Sequence, residues 1–485
     1  DPPGGSLGRI TYADLAGKAR GLALTLDELG LEPGARIGVV SPNAARFLVS
    51  LFGVSAFGRV LVPINFRLNR DEIAYIVEHS GSSALLVDPE LDESLADIPV
   101  KHRFVLGQAT DEELFGRTGT PAHTVADESD TASINYTSGT TARPKGVQIT
   151  HRNAWLNAVT FGWHTTITDR DVYLHTLPTF HCNGWGLPYA LTGMGARHVV
   201  LRKVDGEDIL GRIEREGVTM LAGAPAVVAA ILDAAEKRSA NGEEIPGRDR
   251  VRMVVAGAPP PSAVIERVER DLGWEFIQIY GLTETSPLLT INRAPLEYDA
   301  ADSADRARRL SRAGAPAIGV RMAVDDEGEL LARSNHVFEG YWEQPEETAK
   351  AIVDGWFHTG DGGVQDDAYI VISDRKKDVI ISGGENVSSI EVEDALYQHP
   401  AVAEVAIIGV PHEKWGETIK ALVVCREGAS VDEQALIDFC RERMAHYKCP
   451  TSIEFRDALA RTATGKLQKF KLRQPYWEGR ERLVN

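Results

Sequence analysis

Arg36-Ile-Gly-Val-Val-Ser41 is a short apolar run, and the fold class is decided by how it alternates with its neighbours. Residues 43–57 carry apolar side chains at helical spacing. Val60-Leu-Val-Pro63 is a second run, residues 71–78 again read as helix, and Ala84-Leu-Leu-Val87 is a third run. Short apolar runs without polar alternation suit strands buried on both faces, and helices between them suit parallel crossovers. The alternation continues through residues 132–136, 172–175, 198–201, 220–222 and 251–255. It predicts an α/β protein with parallel-rich sheets, whose functional loops gather at the carboxyl ends of the strands.

The pattern changes at about residue 320. Short strands are expected over 321–324 and 329–333 around the turn Asp326-Glu-Gly328, and 364–373 reads as a hairpin. This is a small β-rich subdomain. A charged strip, Ser373-Asp-Arg-Lys-Lys-Asp378, separates it from a compact α+β unit. There Ser388-x-x-Glu391 predicts a capping box for a helix burying Val392, Ala395 and Leu396. Residues 401–410 read as a strand ended by Pro411, and 421–425 as another. The division expected is a large domain over 1–373, a hinge over 374–378, and a small mobile domain over 379–485. Tyr476 and Trp477 read as packing residues.

The length of 485 residues fits about three folding units at ~150 residues each. Charge is 52 Lys+Arg against 70 Asp+Glu, a net of −18. Such a surface repels phosphate backbones, so nucleic acid is not an expected partner. A small anion still fits, because a site can be locally positive, and the stretch 441–485 is richer in Lys and Arg than in Asp and Glu. The four cysteines, Cys182, Cys425, Cys440 and Cys449, form no C-x-x-C pair and read as thiols of a reducing compartment, hence a cytoplasmic location. No apolar run of ~18 residues and no secretory leader are recognised, so no membrane span is expected.

Chemistry enters at Tyr136-Thr-Ser-Gly-Thr-Thr-Ala-Arg-Pro-Lys-Gly146, which comes after a predicted strand. Backbone N–H groups of such a loop can converge on an anion, hydroxyls add donors, and Lys145 adds charge. Pro144 stands where a Walker loop needs glycine. On spacing alone a polar turn is an equal reading. Gly4-Gly-Ser-Leu-Gly8 fits the hydrolase elbow G-x-S-x-G but lacks a flanking strand and helix.

The segment 136–146 resembles the signature of the adenylate-forming superfamily, which includes acyl-CoA synthetases, peptide-synthetase adenylation domains and luciferases. Further segments occur in the family's order. Gly257-Ala-Pro259 resembles its adenine-side loop and Tyr280-Gly-Leu-Thr-Glu-Thr285 its magnesium and α-phosphate motif. Gly340-Tyr-Trp342 and Trp356-Phe-His-Thr-Gly-Asp361 resemble the segments leading to the ribose. Asp374-Arg-Lys-Lys-Asp378 with Ser382-Gly-Gly-Glu-Asn386 resembles the hinge and the loop after it, and Thr464-Gly-Lys466 the C-terminal lysine motif.

The resemblance implies two steps: a carboxylate attacks the α-phosphorus of ATP to give an acyl-adenylate and pyrophosphate, then CoA displaces AMP. It implies that Thr137, Ser138, Gly139, Thr140, Thr141 and Lys145 hold the β- and γ-phosphates, with Ala142 departing from the glycine common there. It puts Gly257, Ala258, Pro259, Tyr280 and Gly281 beside adenine. It makes Glu284 the Mg²⁺ ligand, a hard oxygen donor, and puts Thr283 on the α-phosphate. Asp361 would accept the ribose hydroxyls, and Arg375 would reach the ribose or α-phosphate. Lys466 would bridge carboxylate and α-phosphate during adenylation. Rotation about Lys377 would then bring Gly383 and Gly384 to line the pantetheine path.

Pro178-Thr-Phe-His-Cys-Asn-Gly-Trp185 resembles the acyl-pocket segment of fatty-acyl and related CoA ligases, with His181 as the gate beside the carboxylate. Amino-acid-activating members carry an Asp here for the substrate ammonium; none lies between Pro178 and Tyr189, and a buried amine without a carboxylate is costly. Cys182, Trp185, Ala256, Gly281, Leu282 and Leu288 would form a mostly apolar pocket. The expectation is an ATP- and Mg²⁺-dependent acid–CoA ligase for medium- or long-chain fatty acids. A carrier-protein acceptor is the first rival, disfavoured because no extra insertion is seen near 290–345. A ligase for an aryl or other specialised acid is the second, and a non-catalytic nucleotide binder the third. Similar ligases are commonly homodimers, which leaves that option for this chain.

Overall fold

The computed structural model describes residues 5–125, 127–137, 144–257, 260–375, 378–382, 385–412, 415–461 and 467–478. The opening runs become β1 (Arg36–Val40), β2 (Val60–Ile64) and β3 (Ser82–Val87), joined by the helices Ala45–Ser55 and Arg70–His79. β4 (His102–Val105), β5 (Thr131–Thr137) and β6 (Lys145–Thr150) complete most of the first sheet. Its order is Gly340–Tyr341, β6, β5, β2, β1, β3, β4. All pairs from β5 to β4 are parallel, whereas β6 runs antiparallel to β5. β2 is buried at every residue because helices cover both faces. It extends through Pro63, which has no N–H to donate, and its pairing with β5 is correspondingly confined to Leu61↔Ser133.

The second sheet repeats the scheme. β7 (Val172–His175), β8 (Arg197–Val200), β9 (Met220–Gly223), β10 (Arg252–Val255) and β11 (Glu275–Gly281) are parallel; β12 (Leu288–Arg293) and β13 (Ala315–Pro316) turn antiparallel. The helices Gly206–Glu216 and Pro225–Ala240 cover one face with a core around Leu210, Ile213 and Ile231. The other face shares a core with the helix His151–Thr165, which Thr150 caps through the Asn153 N–H.

The β-rich subdomain holds β14 (Arg321–Val324), β15 (Glu329–Arg333), β17 (Ile352–Val353), β18 (Trp356–Asp366) and β19 (Tyr369–Arg375), β16 being Gly340–Tyr341 of the first sheet. The expected 364–373 hairpin is the β18–β19 pair, turning at Asp367 with φ of +55°. The last sheet contains β20 (Ile380–Ser382), β21 (Glu385–Val387), β22 (Val402–His412), β23 (Gly416–Cys425) and β24 (Ser452–Phe455). Ser388 caps the helix Ser389–Tyr397, which buries Val392, Ala395 and Leu396. The capping box is half made, because the Glu391 carboxylate instead accepts from Lys448 Nζ at 2.8 Å. β22 does not stop at Pro411: it pairs with β23 through Pro411↔Glu417 and His412↔Gly416. Tyr476 packs on the cluster of Ile408, Leu422 and Leu472, as expected, and Trp477 Nε1 donates to the Gly409 carbonyl at 3.0 Å. The helix Ser389–Tyr397 contacts the larger part where the Ser262 N–H donates to Asp394 Oδ1 at 2.8 Å.

Candidate active site

The antiparallel ends of the two large sheets meet. β5 and β6 form a hairpin with Thr137 opposite Lys145, and the loop between them, with Ser138, Gly139, Thr140 and Thr141, lies outside the described residues. β11 ends at Gly281 and runs into a single 3₁₀ turn, Thr283–Thr285, that carries Glu284. A Cβ on Gly281 would stand 1.6 Å from the Pro287 carbonyl oxygen, so only glycine permits this approach.

Tyr341, on β16, ties the two ends together. Its hydroxyl donates to Glu284 Oε1 at 2.9 Å, and Lys145 Nζ stands 4.8 Å from its ring centre. Burial and the neighbouring Glu284 charge push the Tyr341 hydroxyl pKa up, which keeps it a donor. Lys145 Nζ also pairs with Glu347 at 2.5 Å. Gly340-Tyr-Trp342 signals this region in the sequence, but nothing in it marks Tyr341 as the bridge. Glu347, on the helix Pro345–Ala351, is equally unsignalled.

The gate segment packs against the same turn. Cys182 Sγ lies 4.0 Å from the Thr283 carbonyl, and burial, then the Glu284 charge, raises its thiol pKa. Cys182, Asn183, Gly184, Trp185 and Gly186 all have positive φ, between +40° and +74°. A left-handed turn of this length is costly for non-glycine residues. Side-chain bonds hold it: Asn157 Nδ2 donates to the Trp185 carbonyl at 3.0 Å, Asn183 Nδ2 to Ser133 Oγ at 3.0 Å. His181 starts this turn, half-buried, with its carbonyl accepting from the Gly184 N–H at 2.9 Å. Cys182, Trp185, Ala256 and Leu288 are buried in one apolar cluster, with Leu282 packed on it.

A second constellation surrounds Asp361. It is 7% exposed, and Oδ2 accepts from the Tyr280 hydroxyl at 2.8 Å. Tyr280 is therefore both a core side chain and a hydrogen-bond partner of the expected ribose carboxylate. The strand register sets Arg375 opposite Asp361. Gly257 comes after β10 with φ of +98°, a conformation that favours glycine. Ala258, Pro259, Lys377, Gly383, Gly384 and Lys466 lie outside the described residues.

The donor set suits the groups the resemblance implies. Glu284 offers carboxylate oxygens to a hard cation, Asp361 a buried carboxylate to a diol, and Lys145 a cation to phosphate.

The profile of the AMP-binding enzyme family matches residues 5–342, and that of the AMP-binding enzyme C-terminal domain matches residues 391–466. The chain is 37% identical to 4-hydroxybutyrate–CoA ligase 2 of Metallosphaera sedula over 96% of this chain and 89% of the relative. It is 36% identical to a 2-methylpropanoate–CoA ligase of Humulus lupulus over 93% of this chain and 88% of that one. A solved anthranilate–CoA ligase in complex with anthranoyl-AMP gives a TM-score of 0.87 at 28% identity, covering 97% of this chain and 93% of that chain. With profiles matching both its large and its small domain and relatives aligned over nearly all of it, this chain belongs to the AMP-binding enzyme family, as an AMP-forming acid–CoA ligase.

Proposed function

We propose that the acid this CoA ligase activates is compact and uncharged beyond its carboxylate, an alkyl or aryl acid of a few carbons. The supporting observation is the closed apolar segment. Trp185 is 4% exposed and Leu288 0%, and both belong to one cluster with Cys182 and Ala256. A large buried side chain, on a turn whose main chain is held by the Asn157 bond to the Trp185 carbonyl, supports a floor rather than a tunnel. The relatives named for 4-hydroxybutyrate, 2-methylpropanoate and anthranilate agree with a small acid. A medium- or long-chain fatty acid is the second reading. It is favoured by the uniformly apolar side chains of Cys182, Leu282 and Leu288.

In this reading His181 and Trp185 bound the acid, with His181 beside the carboxylate. Thr283 orients the α-phosphate, while Lys145, Thr137 and residues 138–141 neutralise the outer phosphates; Lys145 exchanges Glu347 for them. Glu284 would hold Mg²⁺, which screens phosphate charge when bound. Asp361 and Arg375 fix the ribose, and Tyr280 shapes the adenine side together with Gly257, Ala258, Pro259 and Gly281. Lys466 is assigned the role of bridging the carboxylate and α-phosphate during adenylation. The small domain turns at 374–378, breaking the Ser262–Asp394 contact and bringing Gly383 and Gly384 to the thiol's path. A cytoplasmic location and a homodimer remain part of this reading. Among the described residues no helix is long and apolar enough to cross a membrane.

The test is mass spectrometry of products from straight-chain, branched and aryl acids of increasing length, with ATP, Mg²⁺ and pyrophosphatase, with and without CoA. Acyl-CoA from short or aryl acids, only when CoA is added, is expected. A maximum at eight or more carbons would overturn the compact pocket. Accumulated acyl-adenylate with no thioester would move the acceptor to a carrier protein.

A further inference from the structure

The strand pairing beside Asp361 is irregular in an informative way. Glu329 pairs with Gly362 and Leu331 with His358, so Leu330 alone faces Thr359, Gly360 and Asp361. This is an enlarged bulge in β18, and a bulge re-aims side chains while leaving N–H groups unpaired by the ladder. Gly360 has φ of +72°. Its N–H is taken not by the main chain of β15 but by a β15 side chain, Glu329 Oε1, at 2.8 Å. The other oxygen, Oε2, stands 3.2 Å from His358 Nδ1. Thr359 Oγ1 adds a second tie, donating to the Leu330 carbonyl at 2.7 Å and accepting the Asp361 N–H at 3.1 Å.

Glu329 is 8% exposed. A buried carboxylate bonded to a main-chain N–H makes a strong, charge-assisted bond. Asp325 completes the group, with Oδ1 accepting the Glu329 N–H at 2.7 Å and the Glu327 N–H at 3.0 Å. The carboxylates of Asp325 and Glu329 and the His358 ring approach within 4.8 Å of one another. Both carboxylates hold main-chain N–H groups, and Glu329 also holds the His358 ring, which is the arrangement of a brace.

We propose that Glu329 is a positioning residue: it holds the bulge that aims Asp361, and through it sets how the enzyme discriminates the nucleotide's ribose. The inference rests on the reading that Asp361 receives the ribose hydroxyls. Glu329 itself does not touch the nucleotide. Loss of the Gly360 bond lets the bulge relax, and the Asp361 carboxylate loses its register with the 2′-hydroxyl. A nucleotide lacking that hydroxyl has less to lose.

The experiment is calorimetric titration of the full-length protein with ATP and with 2′-deoxy-ATP, for wild type, Glu329→Leu, Glu329→Gln and Asp361→Ala. The wild type should prefer ATP. Glu329→Leu should cut that preference about tenfold, by weakening ATP much more than 2′-deoxy-ATP. Glu329→Gln keeps an acceptor for the Gly360 N–H and should restore most of the preference. It also serves if the leucine variant does not fold. Equal weakening of both nucleotides by Glu329→Leu, or an unchanged preference in it, would overturn the proposal. So would a Glu329→Gln preference as low as that of Asp361→Ala. A preference unchanged in Asp361→Ala would instead overturn the ribose reading on which the proposal stands.

Discussion

The first and second seven-stranded sheets are both parallel through their centres, and both turn antiparallel at the edge that reaches the site, β6 in one and β12 in the other. The two edges are held differently. On the first, Lys145 is kept by an ion pair with Glu347, whose side chains are 20% and 33% exposed. On the second, the main chain is locked: Gly281 is pressed on the Pro287 carbonyl, and the buried Thr285 hydroxyl bonds the Leu282 and Pro287 carbonyls at 3.0 and 2.6 Å. In the proposed function one edge exchanges its partner for a phosphate, while the other is a platform that carries Glu284. Tyr341 bridges them.

Breaking the platform should matter most. Glu284→Gln removes the anion assigned to the cation and is expected to lower the adenylation rate by roughly 10²–10³, in the range of losing one preorganised electrostatic group. Full activity at saturating Mg²⁺ would remove Glu284 from the site. Gly281→Ala forces a Cβ against backbone that cannot yield, and should destabilise the large domain by about 3 kcal/mol, read from the urea midpoint. An unshifted midpoint would mean the platform is softer than its geometry.

The bridge comes next. Tyr341→Phe keeps the ring under Lys145 and deletes the bond to Glu284. A hydrogen bond to a charged group is worth about 1.5–3 kcal/mol, so kcat/KM for ATP should fall about tenfold or somewhat more. Tyr341→Leu should fall further if the cation–ring contact contributes.

The exchangeable edge should show the smallest effect. Glu347→Gln releases Lys145 and should lower KM for ATP only a few-fold, as for a solvent-screened pair. Hydrogen bonds from Lys145 and then Lys350 hold the Glu347 carboxyl down at about 2. A lowered carboxylate pKa keeps the pair intact above the ordinary carboxylate range, and the pair is lost only as pH falls through about 2. The few-fold effect should therefore be flat from roughly pH 5 to 9. A raised KM would mean that Glu347 positions Lys145 for phosphate instead of competing for it.

The parallel halves are readable in the sequence because buried parallel strands are plain apolar runs, as with 36–40 and 82–87. Glu284, Asp361 and Lys145 are legible there too, through ordered motifs. The features that stay hidden depend on register and distance. The Tyr341–Glu284 bond spans 57 residues, and no local spacing encodes it. The bulge at Thr359–Asp361 exists only because β15 pairs across it. The left-handed turn at 182–186 needs Asn157 from another helix to hold it, and of its five residues Gly184, Gly186 and, more weakly, Asn183 hint at positive φ, whereas Cys182 and Trp185 do not. The passage of β22 through Pro411 is likewise decided by its long pairing with β23.

The most direct test is acid-dependent exchange of labelled pyrophosphate into ATP, measured without CoA on wild type and Glu284→Gln. Exchange in the wild type that appears only with a short or aryl acid, and collapses in the variant, is predicted. Exchange that ignores the acid, or that survives Glu284→Gln unchanged, would contradict the assignment of this site.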